Sequence, residues 1–100
     1  MTEKLIGMLH LSKKAGKLIF GSEPSANAVR GGRAHVVIMA EDASERTKKL
    51  MRNKCHSFSV PLFEIETAHY LGEKFGKCDI SVLSVSDENF AKAILKILGN

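Results

Sequence analysis

Blocks of helical period alternate along this chain with short, continuous apolar runs. After Thr2, the residues Leu5, Met8 and Leu9 recur at i, i+3 and i+4, with Ile6 beside them and Ser12 on the same face. This predicts a first helix capped by Thr2 and ended by Lys13, Lys14 and Gly16. Leu18 to Phe20 reads as a short strand. A Gly21-Ser22 turn and a helix from about Glu23 to Arg30 follow, with Pro24 tolerated in its first turn and Gly31-Gly32 as its stop. Val36 to Ala40 is apolar throughout and rich in β-branched residues, as in a strand covered on both faces. Asp42 or Ser44 can cap a third helix running to about Cys55, with Leu50, Met51 and Cys55 inward. Ser59 to Ile65 is a strand whose Pro61 places it at an edge or near the strand start. Thr67 opens a short helix with Ala68, Leu71 and Phe75 inward and Gly76 as its stop. Ile80 to Val85 is the last strand, and Asp87 caps a final helix in which Phe90, Ile94, Ile97 and Leu98 share a face.

Strands separated by single helices imply crossover connections. The expected fold is therefore α/β: a single-domain three-layer α/β/α sandwich with a mixed, largely parallel four-stranded sheet. The 100 residues suit one domain spanning 1–100, without internal repeat or linker. Ligands of such sheets bind beyond the strand ends, which points to the loops at Ala40 to Ser44 and Gly76 to Ile80.

Charge adds a direction to this frame. The net charge is +4, and residues 1–40 account for it, with Lys4, Lys13, Lys14, Lys17, Arg30 and Arg33 against Glu3 and Glu23. An anionic partner follows as an expectation. A further group, Arg46, Lys48, Lys49, Arg52 and Lys54, is either a second contact or the solvated face of its helix. No apolar run approaches the length of a membrane span and the first residues lack a leader pattern, so the chain is read as cytoplasmic, with no membrane partner.

Candidate chemistry is sparse. Cys55 and Cys78 form no CxxC pair and are read as two buried free thiols. His10, His35, His56 and His69 have no metal-ligand spacing, and GxGxxG, GKS/GKT and GxSxG are absent. No catalytic residue, metal or cofactor is expected. The informative stretch runs from Lys17 to Asp42. Gly21 can adopt angles denied to other residues, Ser22 can cap the following helix, and the free N–H groups of that helix start can hold a phosphate. Lys17, Arg30 and Arg33 are close in sequence and would supply fixed charge around it. The plainer alternative is that Gly21 and Ser22 only start a helix.

The runs GGRAHVVIMAEDAS, RTKKL, KC, a strand with VP, LGEKFGK and SVSDENFAKAIL resemble the kink-turn RNA-binding ribosomal proteins of the L-seven-Ae and L-thirty-e family. The opening LHLSKKAGKLIFG is also similar to the small bacterial YlxQ branch. The resemblance covers nearly the whole chain and implies an α/β/α sandwich that binds structured RNA, ribosomal or ribosome-associated, without catalysis and as a monomer. The family's helix-start signature falls on Gly21 to Asn27: glycine and hydroxyl persist, but Glu23, Pro24 and Asn27 stand where the family has Asn, Glu and Lys. On this reading Lys17, Arg30 and Arg33 contact phosphates, Gly21 and Ser22 admit the backbone, and Glu23 and Asn27 sit at base edges. A flipped-out base would lie between the Gly76 to Ile80 loop, with Lys77 and Ile80, and a wall formed by Glu41, Ser44 and Lys48; capping is the other role open to Glu41 and Asp42. An interaction module that kept the fold but lost kink-turn recognition is the alternative, and a small-nucleotide binder or enzyme using a pocket near Glu41 is a third.

Overall fold

The computed structural model describes residues 1–99. Its elements are α1 (Glu3–Lys14), β1 (Leu18–Phe20), α2 (Ser22–Arg30), β2 (Val36–Met39), α3 (Glu45–Ser57), β3 (Leu62–Glu64), α4 (Ala68–Lys74), β4 (Val82–Val85) and α5 (Glu88–Gly99). Side-chain caps begin four of the helices: Thr2, Ser44, Thr67 and Asp87 accept from the N–H groups of Leu5, Thr47, Tyr70 and Phe90. Ser44 therefore caps α3, and Asp42 does not.

The four strands lie in the order β1-β4-β2-β3. β1, β2 and β3 point the same way because α2 and α3 each return the chain to the opposite end of the sheet. We call the end where these three strands finish the upper end. β4 runs downward, antiparallel to both β1 and β2, so β2 with β3 is the one parallel pair. The sheet is mixed, as expected, with three strands in one direction and β4 opposed, so that one of its three strand pairs is parallel. The chain after α4 folds back to the start of that helix, at the upper end, where Ile80 N–H bonds to the Ala68 carbonyl. β4 must then start there.

Side-chain alternation divides the core in two. Val36, Ile38, Ala40, Leu83 and Val85 face α1, α4 and α5, while Val37, Met39 and Val82 face α2 and α3. All four residues of β2 and of β4 are buried, which suits central strands covered on both sides. β3 is at the edge, and Pro61 lies just before it, where its carbonyl accepts from Val37 N–H and its missing donor costs nothing. Buried hydroxyls find partners: Ser84 Oγ on β4 donates to Ser25 Oγ on α2 at 2.9 Å, and Ser12 Oγ donates to the Met8 carbonyl.

Gly72, inside α4, is required by a close approach of the backbone. A Cβ there would lie 2.0 Å from the Cys78 carbonyl oxygen, so the Gly76 to Ile80 loop can close on α4 only over a glycine. We expect Gly72→Ala to displace this loop and to lower stability by about 1–3 kcal/mol or more, as overpacking does. Gly7→Ala, at an exposed helical site with nothing within 4 Å, should raise stability by up to about 1 kcal/mol. Urea unfolding of the two variants checks the opposite signs.

Candidate functional site

Two backbone devices meet at the upper end. The first is the start of α2. Gly21 adopts φ 105°, donates its N–H to the Val82 carbonyl and accepts from Ser25 N–H. No side chain caps this helix; Ser22 is already helical, so its hydroxyl does not serve the expected capping role. A Cβ on residue 21 would also press to 3.3 Å from Pro24 Cδ. Because Pro24 has no N–H, the open donors of this helix start are Ser22 and Glu23. The second device is the loop before β4. Lys77 N–H bonds to the Gly72 carbonyl at 2.8 Å and Ile80 N–H to the Ala68 carbonyl at 2.9 Å, so both ends of the loop are tied to α4.

Between them lies a depression of about 340 Å³ lined by Phe20, Gly21, Ser22, Lys77, Asp79 and Ile80. Lys77 Nζ sits 4.8 Å from the Phe20 ring centroid, a cation–π contact that holds the ammonium at the rim. Phe20 meets Phe75 edge to face, with centroids 5.3 Å apart. Ile80 is buried among Leu71 and Phe75 at 4% exposure, so its side chain is not the free apolar surface expected to pack on a base. Cys78 is exposed, contrary to the expectation of two buried thiols; Cys55 is buried, and burial pushes its thiol pKa up to about 11.

The Ala40 to Ser44 turn forms the rest of this end. Asp42 Oδ1 accepts from Ala68 N–H at 2.8 Å, which ties the turn to the start of α4, and Glu41 N–H donates to the Glu66 carbonyl. Ser44 Oγ is occupied at the α3 cap, accepting from Thr47 N–H and donating to Thr47 Oγ1. Glu41 is exposed and Lys48 half-buried. Farther along α3, Arg52 grips Glu64 with two bonds of 2.8 and 2.6 Å, removing one cation from the basic group on that helix. The hydrogen bond and charge of Arg52 hold the Glu64 carboxyl below its usual range.

The residues expected to surround one phosphate are split between two ends. Lys17 precedes β1 and its carbonyl accepts from Ser86 N–H, at the lower end. Arg30 and Arg33 follow at the far end of α2, about 13 Å from its start by helical rise. Asn27 is bonded through Oδ1 to Arg30 Nη2 at 3.1 Å. Adjacency in sequence misled here because Gly21 lies between a strand and a helix that both carry their far ends away from it. Phe20 and Gly72 were missed. A glycine inside a seven-residue helix was the available signal, since it costs helix stability unless packing demands it.

The fold and this site place the chain among known proteins. Residues 3–95 match the model described as the ribosomal protein L7Ae/L30e/S12e/Gadd45 family. The chain belongs to this family. Among its relatives, a protein named RNA-binding protein YlxQ from Bacillus subtilis (strain 168) is 33% identical over 91 residues, covering 91% of each chain. One of the same name from Enterococcus faecium is 33% identical over 96 residues, 96% of this chain and 92% of that one. A solved structure of a protein with unknown function from Bacillus halodurans C superposes with a TM-score of 0.91 at 29% identity, covering 99% of this chain and 100% of the other. Among the described residues, no helix is long and apolar enough to cross a membrane, and no group of His, Cys, Asp and Glu is arranged to hold a metal ion.

Two outcomes test the site as a structure. Asp42→Ala should lose about 1 kcal/mol of stability in urea unfolding, whereas Asp42→Asn, which keeps an acceptor, should lose less; equal losses would reject the tie to α4. At mildly alkaline pH a thiol reagent should label Cys78 on the folded protein and leave Cys55 unlabelled until denaturant is added, as mass mapping would read.

Proposed function

We propose that this protein binds structured RNA through the upper end of the sheet and performs no reaction on it. The supporting observation is the meeting of the α2 start with the loop before β4, where Gly21, Ser22 and Lys77 line one depression beside the open N–H groups of that helix start. Open helix-start donors and a nearby cation suit the anionic edge of a folded RNA. The Glu23 carboxylate repels phosphate and accepts hydrogen bonds, so it suits amino groups on base edges. Two relatives bear the name RNA-binding protein, which supports the same reading.

The finer form of the proposal is a kink-turn-like target in ribosomal or ribosome-associated RNA, bound by a cytoplasmic monomer. In this proposal Glu41 and Lys48, which belong to the same end, supply an outer wall. Lys17, Arg30 and Arg33 lie at the lower end and are left outside the interface as we propose it. A second reading, an interaction module without kink-turn recognition, is favoured by Glu23 and Pro24, which add a negative charge and subtract an N–H at the helix start.

A gel-shift titration at fixed, moderate salt separates these readings. We expect tighter binding to a kink-turn with tandem G·A pairs than to the same strand with those pairs made Watson–Crick; equal affinity would put the interaction module ahead. Lys77→Ala should weaken the preferred complex severalfold and flatten its log–log salt slope by about one. Lys17→Ala and Arg33→Ala should change neither.

A further inference from the structure

We propose that the lower end of the sheet carries a second site, a cleft that takes a single-stranded polynucleotide independently of the upper end. The cleft has a volume of about 280 Å³ and lies between the turn before β2 and the loop before β3, with Arg30, Gly32, His35, Phe58, Ser59 and Pro61 in its lining. Phe58 is 46% exposed, in a chain whose other large apolar side chains, Leu11 excepted, are covered at least in part. A phenyl ring in this position offers a face on which an unpaired base can stack.

Charge identifies the occupant. Neither residues 24–40 nor residues 46–63, the segments that build the two walls, contain an Asp or Glu. Arg30 and His35 line the cleft, Arg33 lies between the lining residues Gly32 and Ala34, and Lys54 and His56 sit in the last turns of α3 just before Phe58. Arg30 bonds to the neutral amide of Asn27, and among the described residues neither Arg30, Arg33 nor Lys54 is in an ion pair. Arg30 and Arg33 are exposed. The upper end differs, because Glu23, Glu41 and Asp79 are exposed around its depression. Unpaired guanidinium groups beside a free aromatic face fit a flexible strand that presents phosphates and an unstacked base together. A duplex keeps its base faces covered, so the cleft selects single strands.

Fluorescence anisotropy of the full chain with an end-labelled oligouridylate, across a salt series, tests this. Wild type should bind. Phe58→Leu, which keeps apolar bulk but loses the ring, should bind about tenfold more weakly, and Phe58→Trp should bind at least as well as wild type. Arg33→Gln should lower the salt slope by about one. Lys77→Ala should leave oligouridylate binding unchanged, so this outcome is separable from discrimination between the two kink-turn strands. No binding by wild type, equal binding by Phe58→Leu, or a loss in Lys77→Ala matching that in Phe58→Leu would each overturn the proposal.

Discussion

The loop after α4 folds back onto the start of that helix, held by the Ile80 N–H on the Ala68 carbonyl, and most of the architecture follows from that. Without that return the chain would descend and β4 would be one more parallel strand. With it, β4 enters from above and fills the gap between β1 and β2. That insertion completes a centre buried on both faces. It also brings the loop before β4 beside the start of α2, two segments separated by more than half the chain.

The same reversal explains which parts of the fold were legible in the residues. Elements declared themselves through local physics: Thr2, Ser44, Thr67 and Asp87 as caps, the unbroken apolar run at Val36 as a central strand, Pro61 as an edge marker. Strand direction was less accessible because it depends on where the loop after α4 leaves the chain in space, and periodicity does not report that. The site was half legible. Gly21 was identified as a special turn and holds φ 105°, but Lys17, Arg30 and Arg33 were grouped with it by proximity along the chain, a measure that β1 and α2 both defeat. Ile80 was assigned with Lys77 to the wall of a base pocket, whereas its side chain belongs to the core beneath the loop.

Separating charge from the helix start changes what the upper end can be. With Lys77 as the cation at the rim and carboxylates close by, it is a surface for shape and hydrogen bonding more than for bulk attraction. Arg30 lines a cleft with Phe58 at the other end of the same sheet, with Arg33 next to it in the turn before β2. A small domain can thus divide recognition between a directional end and an electrostatic one, joined by strands too short and too buried to flex independently.

The hydroxyl pair of Ser25 and Ser84 has a consequence for aim. It joins the first full turn of α2 to the middle of β4 inside an otherwise apolar layer. Sliding the helix by one residue, or rolling it by a fraction of a turn, would strand both oxygens without partners, at a cost that apolar contacts alone would not impose. The pair therefore acts as an indexing pin. The direction in which Gly21, Ser22 and Glu23 face the solvent is set by two small side chains that a ligand at that surface never meets.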